Sequence, residues 1–145
     1  METKRPRVGV GVMIFKDNKV LLGHRNEDSI KADSLLHGED TWTMPGGKLD
    51  FNETLRDCAF RETKEETDIE INKEKITVIS VSDNIVKDNH FVTIVFLCKE
   101  FKGELKVMEP DEITEWKWYD LNNLPEKIFP PSKIGIESFL NNKIY

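Results

Sequence analysis

Residues 47–69, GKLDFNETLRDCAFRETKEETDI, constrain the fold of this 145-residue chain more than any other segment. The stretch Leu55–Thr67 contains no Gly or Pro and few β-branched residues, so it predicts one continuous helix. Asn52 follows a Gly-rich turn and is the predicted N-cap of that helix. The apolar residues at the start of the helix indicate packing against a sheet.

The predicted helix changes from apolar to acidic along one face. Leu55 and Ala59 are followed at helical spacing by Glu62 and Glu66, and Glu65 lies beside them. The helix macrodipole disfavours negative charge at this end by roughly 0.3–1 kcal/mol per residue. A divalent cation held by carboxylate oxygens would offset the dipole and the mutual repulsion, and Mg²⁺ is the usual ion beside phosphates.

A solvated, charge-rich helix is the simpler interpretation of the string RETKEET. Arg61 and Glu65, for example, form an ordinary i,i+4 pair of the kind found on exposed helices. Two features ahead of the helix favour a functional site instead. They are the Met-Pro-Gly-Gly turn at 44–47 and the additional acid Glu53.

This constellation resembles the Nudix box, G-x5-E-x7-R-E-U-x-E-E-x-G-U, in which U is an apolar residue. The matching positions are Gly47, Glu53, Arg61, Glu62, Glu65, Glu66 and Ile69. Thr63 stands at an apolar position, and Asp68 replaces the Gly that would end the helix in a left-handed conformation. The second departure leaves open where the helix terminates.

The resemblance implies hydrolysis of a nucleoside diphosphate linked to another group, by attack of water on phosphorus, with Mg²⁺ or alternatively Mn²⁺ as cofactor. The implied metal ligands are the carbonyl of Gly46 and the carboxylates of Glu62, Glu65 and Glu66. Arg61 is expected to orient these glutamates through charge-assisted hydrogen bonds. Glu53 is expected to act from outside the ligand set.

The general base differs among such enzymes between a box glutamate and a distant acid. Among the box glutamates, Glu65 is the one expected to be catalytic. The loop before Trp116 offers distant acids, and Glu112 is preferred among them; the full set is Glu109, Asp111, Glu112 and Glu115. An ordinary acidic surface turn is an equally good interpretation of this loop.

The wider chain resembles MutT-like nucleoside triphosphate pyrophosphatases of the thiopurine branch, at 5–12, 20–25 and 90–95. By this resemblance Arg25 contacts phosphate, Gly47 and Thr93 contact substrate, and the strand containing residues 9–11 lines the nucleotide pocket beside a homodimer surface. An ADP-ribose or nucleotide-sugar hydrolase is the alternative substrate class, although residues 72–101 lack the proline expected of that branch. A non-catalytic nucleotide sensor is a further alternative, and the intact box glutamates disfavour it.

Length and composition limit which other kinds of protein this chain could be. The length predicts one domain, 1–145, and a net charge of −6 disfavours binding of a nucleic acid polymer. No apolar run approaches the roughly 20 residues of a membrane span, and METKRPR lacks the apolar region of a signal peptide, so a cytoplasmic location is expected. Cys58 and Cys98 are expected to be buried thiols.

Apolar patterning predicts an α/β fold. Strands are predicted at 8–15, 20–25, 76–82, 91–101 and 116–119, with a terminal helix at 132–140 and a long functional or mobile loop at 26–40. Together with the box helix these elements predict an α/β/α sandwich of Nudix type, with a mixed β-sheet between helices. Four aromatic side chains could stack on a base, namely Trp42, Phe91, Trp116 and Trp118, although most are expected in the core.

Overall fold

The computed structural model describes residues 4–32 and 34–145, in which the chain forms nine strands and three helices. In chain order these are β1 Arg7–Lys16, β2 Lys19–Arg25, α1 Ser29–Ala32, β3 Trp42–Thr43, β4 Gly46–Lys48, α2 Leu55–Thr67, β5 Glu70–Ile71, β6 Thr77–Ile85, β7 His90–Cys98, β8 Phe101–Lys102, β9 Ile113–Asp120 and α3 Pro130–Asn141. Within these residues, no helix is long and apolar enough to cross a bilayer.

The main sheet has the strand order β3-β2-β1-β7-β6, with β4 also paired to β1 and β9 also paired to β2. The pair β1 and β7 is parallel, and the other pairs of this sheet are antiparallel. The sheet is therefore mixed, as predicted. The strand carrying residues 9–11 lies between β4 and β7, so it has no free edge at which a second subunit could pair.

The main sheet forks between β1 and β2. These strands pair at Phe15 with Val20 and at Lys16 with Lys19. Beyond that point β1 continues along β4, whereas β2 continues along β3 and β9. Residues 43–46 cross between the two prongs, and the Val12 N–H donates to the Pro45 carbonyl at 2.9 Å. A cleft results where the prongs separate.

Two apolar cores lie on opposite faces of the sheet because residues on a strand alternate in direction. Val12 and Ile14 of β1 pack into the core beneath α2, and Met13 packs into the core beneath α3. Trp116 and Trp118 both pack against the first core, as their alternation predicts. This arrangement confirms the predicted α/β/α sandwich.

Helix α2 has the predicted bounds but a different N-cap. Asn52 adopts a positive φ of 67°, and the side chain of Thr54 accepts the hydrogen bond from the Asp57 N–H instead. The assignment of Asn52 as N-cap is therefore wrong. Thr54 has the extended backbone that a cap requires, with φ −78° and ψ 158°.

Asp68 ends α2 in the left-handed conformation, with φ 63°. Its N–H donates to the carbonyl of Lys64 at 3.0 Å, and its carboxylate pairs with Lys64 at 2.8 Å and Lys106 at 3.3 Å. Both lysines lower the pKa of Asp68. The aspartate that departs from the box pattern therefore performs the capping role of the missing Gly and anchors two lysines as well.

Other element bounds differ modestly from the predictions. The predicted strand 91–101 is too long, because the chain leaves the main sheet after Cys98 and Phe101 pairs instead with Ile71 in a separate ladder. The loop at 26–40 contains the short helix α1. Cys58 and Cys98 are both free and buried, as predicted, and burial raises the pKa of the two thiols to about 12 and about 11.

Candidate active site

A cavity of about 470 Å³ occupies the fork of the sheet. Glu62, Glu65 and Glu66 of α2 line one end, together with Glu109 and Glu112 from the loop before β9. The rest of the cavity is lined by β1, β7, residues 34–36 and the segment around Phe129. Most of the predicted site residues line this one cavity, namely Arg25, Gly46, Gly47, Glu62, Glu65, Glu66, Thr93 and Glu112.

Arg61 lies behind the cavity and links the box acids. Its Nε and Nη2 donate to Glu53 at 2.7 and 2.9 Å, while Nη1 donates to Glu62 at 2.9 Å and to Glu65 at 3.4 Å. Nη2 also donates to the carbonyl of Lys48 at 3.1 Å. These hydrogen bonds lower the pKa of Glu53 to about 2 and raise that of Arg61. These contacts agree with a guanidinium that orients the glutamates. The part that Arg61 plays in turnover stays a prediction.

Glu66 is a buried carboxylate with an unpaired oxygen. The residue is 8% exposed, and its Oε2 has no hydrogen-bond partner among the described atoms. Burial raises its pKa well above the usual range, and the charges of Glu62 and Glu109 act in the same direction, against a backbone hydrogen bond from Gly46. Burial likewise raises the pKa of Glu62 to about 7, although Arg61 opposes this. Buried charge of one sign is costly without a counter-ion.

The double glycine is required by close approach of other atoms. A Cβ on Gly46 would lie 2.2 Å from the carbonyl oxygen of Val10, and a Cβ on Gly47 would lie 2.4–2.5 Å from the carboxylate of Glu62. Any side chain at either position would displace β1 or push Glu62 out of place. The turn at 44–47 is therefore part of the site as well as of the sheet.

The donor set fits a hard divalent cation in its chemistry. Carboxylate and carbonyl oxygens are the ligands that Mg²⁺ and Mn²⁺ prefer, and the unpaired Oε2 of Glu66 provides one in the cavity. Across residues 4–32 and 34–145, no group of three His, Cys, Asp or Glu side chains is already arranged to enclose an ion. Glu62 is turned toward Arg61, so ion binding would require its carboxylate or that of Glu65 to reorient.

Two acids of the 109–115 loop reach the cavity, and two do not. Glu109 and Glu112 line it, whereas Asp111 and Glu115 are absent from its walls. The loop is tied down by Glu112, whose N–H donates to the Glu109 carbonyl at 3.0 Å and whose carbonyl accepts from the Asn26 N–H at 2.8 Å. Burial raises the pKa of Glu109, and the charges of Glu112 and Glu65 raise it further. Glu109 is therefore close enough to interact electrostatically with the box acid Glu65.

Arg25 borders the cavity from the end of β2. Its Nη2 donates to the carbonyl of Ala32, and its guanidinium lies over the ring of Phe129 with 5.4 Å to the centroid. Leu35 and Leu36 line the wall nearby. These contacts hold the arginine at the wall formed by Phe129 and residues 34–36, and phosphate contact from this position stays a prediction.

Only one of the four predicted stacking aromatics lines the cavity, and that residue is Phe91. Trp42 instead stacks on His24, with 4.7 Å between ring centroids. The same histidine lies 2.9 Å from Asp40, between Nε2 and a carboxylate oxygen. Phe129, which sequence reasoning missed, supplies a second aromatic wall.

Ser132 is another residue that the sequence pattern did not reveal. Its hydroxyl accepts a hydrogen bond from the Met44 N–H at 3.0 Å and lies 3.2 Å from the Thr43 hydroxyl. It thereby joins the start of α3 to the segment that crosses the fork. Nothing in the local sequence around Pro130 and Pro131 signals this contact.

Comparisons with known proteins agree with this geometry. The sequence profile of the NUDIX domain matches residues 5–139. An ADP-ribose pyrophosphatase of Methanocaldococcus jannaschii is 33% identical over 129 residues, covering 89% of this chain and 70% of that protein. An 8-oxo-dGTP diphosphatase of Proteus vulgaris is 31% identical over 105 residues, covering 72% and 86%. The MutT NUDIX hydrolase structure from Burkholderia pseudomallei superposes with a TM-score of 0.82 at 31% identity, covering 93% and 98%.

The α/β/α sandwich with an acidic cleft at the end of α2, taken together with these matches, identifies the chain as a hydrolase. The chain belongs to the Nudix family, and the prediction of a Nudix pyrophosphohydrolase is confirmed at that level. Hydrolases of this family generally use a divalent metal, which agrees with the oxygen donors in the cavity.

Proposed function

We propose that this protein is a Mg²⁺-dependent pyrophosphohydrolase that cleaves a (deoxy)nucleoside triphosphate to the nucleoside monophosphate and pyrophosphate. The observation that carries the proposal is the mixed lining of the cavity. Five carboxylates gather at its acidic end, and Phe91, Thr93 and Phe129 line other parts of its wall. A nucleotide has the matching polarity, with a polyphosphate at one end and an aromatic base at the other.

The bound ion would neutralise the polyphosphate charge and lower the pKa of the attacking water. Glu62, Glu65, Glu66 and the Gly46 carbonyl would hold it. Glu112 accepts a proton from the water as its oxygen bonds to phosphorus, and the bridging oxygen between the α- and β-phosphorus leaves with pyrophosphate. Arg25 contacts the phosphates from the opposite wall.

On the side of the cavity proposed for the nucleoside, strands form the floor and loops form the wall. Gly9 and Gly11 leave the floor open, because a Cβ at these positions would meet only ordinary van der Waals contacts at 3.5 Å or more. Phe91 offers a ring face beside this opening, and Thr93 offers a hydroxyl. These features support binding of a planar base next to a polar anchor.

ADP-ribose is the second candidate substrate, and the 33% identity to a protein named for that activity favours it. The 31% identity to an 8-oxo-dGTP diphosphatase favours the triphosphate. A catalytic protein is favoured over a nucleotide sensor because every acidic box position carries its glutamate. We also propose a homodimer as the assembly, on the resemblance alone; light scattering of the purified protein tests it.

The deciding experiment compares kcat/KM for deoxynucleoside and ribonucleoside triphosphates, ADP-ribose and a 5′-triphosphate RNA, each with Mg²⁺. We expect a triphosphate nucleotide to be the best substrate. Glu65→Gln and Glu66→Gln should abolish turnover, whereas Glu115→Gln, on β9 and off the cavity, should retain it. Higher kcat/KM for ADP-ribose would overturn the substrate assignment, and turnover that survives both box substitutions would overturn the metal site.

A further inference from the structure

Three buried polar side chains lie together beside the floor of the cavity. Ser82 and Asn84 of β6 and Thr93 of β7 are 5%, 8% and 6% exposed. Ser82 is the cross-strand partner of Thr93 in the β6–β7 ladder. None of the three belongs to the acidic end of the cavity. Buried polar groups on a sheet need partners, and these side chains supply one another.

The hydrogen bonds within this group have a defined direction. Oδ1 of Asn84 accepts from the Thr93 hydroxyl at 2.6 Å and from the Ser82 hydroxyl at 3.1 Å. A carbonyl oxygen can only accept, so each hydroxyl donates its single proton to it. Thr93 therefore has no proton left to donate elsewhere, and its Oγ1 offers only lone pairs to any further partner.

Thr93 is open to the cavity because its neighbour on β1 is glycine. Gly9 is paired with Thr93 in the parallel ladder, and a Cβ on Gly9 would lie 3.6 Å from Oγ1 of Thr93 and 3.5 Å from the ring of Phe91. The missing side chain leaves space above both groups. A ligand that stacks on Phe91 therefore places its edge beside an acceptor oxygen.

We propose that Asn84 and Ser82 fix Thr93 as a hydrogen-bond acceptor, so that the cavity selects nucleosides presenting an N–H or O–H donor at that point. The inference rests on the proposed function only in taking the ligand to contain a nucleoside. Two groups carry suitable donors, namely the amino or ring N–H of a base and a hydroxyl of ribose. Asn84 is a positioning residue in this scheme, since it acts on the ligand through Thr93.

Discrimination follows from the cost of leaving a desolvated acceptor unpaired. A site built around one hydrogen bond disfavours analogues that lack the matching group. For a neutral hydrogen bond the expected preference is roughly 3- to 10-fold in affinity. The conservative variant Thr93→Ser keeps the hydroxyl and should keep the preference, whereas Thr93→Val removes the acceptor at nearly constant volume.

Calorimetry of nucleoside monophosphate binding tests the acceptor role of Thr93 without any hydrolysis. A negative result would therefore count against that role and not against the proposed reaction. The ligand pairs are GMP with IMP, AMP with purine riboside 5′-monophosphate, and each ribonucleotide with its 2′-deoxy form. The first two pairs differ by a base amino group and the third by a sugar hydroxyl. We expect the donor-bearing member of one pair to bind roughly 3- to 10-fold more tightly.

The variants then separate positioning from folding. Thr93→Val should remove the preference, and Asn84→Leu should reduce or invert it, because the freed Thr93 hydroxyl can then donate. Ser80→Ala is the matched control, since Ser80 is buried on the same strand but bonds to Ser138 at 3.0 Å and does not line the cavity. Equal affinities within every pair for the native protein, or a preference unchanged in Thr93→Val, would overturn the proposal.

Discussion

Glu53 accepts hydrogen bonds from Nε and Nη2 of Arg61 at 2.7 and 2.9 Å, which fixes the guanidinium on two sides. Nη1 of that guanidinium reaches Glu62. The orientation of Glu62, which lines the cavity, therefore depends on Glu53, which lies outside the cavity. Because Glu53 is only 13% exposed at its side chain, solvent cannot easily replace it as a partner.

Glu53→Gln should lower kcat/KM by about 10- to 100-fold, the usual effect of removing a group that orients metal ligands. The amide would leave Arg61 without its strongest charge partner and free to turn. Steady-state kinetics over a range of Mg²⁺ concentrations measures the change. Asp50→Asn is the control, since Asp50 lies 3.4 Å from Arg61 but is 69% exposed at its side chain; equal losses in both variants would contradict the prediction.

Glu112→Gln should lower kcat by roughly 10²- to 10⁴-fold with little change in KM, as expected for loss of a general base. The amide preserves size and the backbone contacts that tie the loop to Asn26. Single-turnover rates at saturating substrate measure the chemical step. An unaffected rate in Glu112→Gln would transfer the role to a box glutamate or to Glu109, and Glu109→Gln is the variant to compare.

Glu66→Gln should raise the melting temperature of the metal-free protein while reducing the further increase caused by Mg²⁺. The substitution removes the cost of burying an ionisable carboxyl group beside Glu62 and Glu109, and under the proposed function it also removes a metal ligand. An ion at 100 times its Kd stabilises the native protein by about 2.7 kcal/mol, so the effect is measurable calorimetrically. An undiminished Mg²⁺ response in this variant would exclude Glu66 from the ligand set.

The ion pair of His37 and Asp88 should make the contact between the loop after α1 and the β6–β7 turn sensitive to pH. Nε2 of His37 lies 3.0 Å from both carboxylate oxygens, which raises the pKa of His37 and lowers that of Asp88. The raised histidine pKa contributes stability below the unfolded value of 6.5 that is lost as pH rises through the folded pKa. The lowered aspartate pKa contributes stability that is lost as pH falls below 3.8.

The contact between His37 and Asp88 is therefore expected to be fully formed between about pH 4 and pH 6.5. It should weaken as the pH rises through the raised pKa of His37. Titration of the His37 imidazole signals by NMR measures it, and Asp88→Asn should move that pKa down toward 6.5. Asp17→Asn, in the distant β1–β2 turn, is the control. A His37 titration that is the same in the native protein and in Asp88→Asn would show that the pair does not form in solution.

The box helix could be predicted from the sequence because its determinants are local. Uninterrupted helix-forming residues set its length, and the glutamate spacing set its acidic face. The N-cap was misassigned because Asn52 and Thr54 are both capping residues, and the choice depends on the backbone. That backbone places Asn52 at positive φ and Thr54 in extended geometry.

The substrate end could not be predicted in the same way, because it is assembled from strands far apart in the chain. Asn84 and Thr93 are joined only through the register of β6 on β7. Phe129 reaches the cavity through tertiary packing against Arg25, which no local pattern encodes. The sequence offers four acids between residues 109 and 115, and only their three-dimensional placement separates Glu109 and Glu112 from Asp111 and Glu115.

Under the proposed function, the forked sheet would fix the distance between the two groups that hold the substrate. One prong carries Thr93 and Gly9, the other carries Arg25, and the crossing turn at 44–47 joins the prongs beside the acids of α2. Paired strands do not slide, so the separation between Thr93, the proposed nucleoside contact, and Arg25, the proposed phosphate contact, is set by the strand ladders. A ligand with a longer or shorter span would bring a different bond to the acidic end, and regioselectivity would then be a property of sheet geometry.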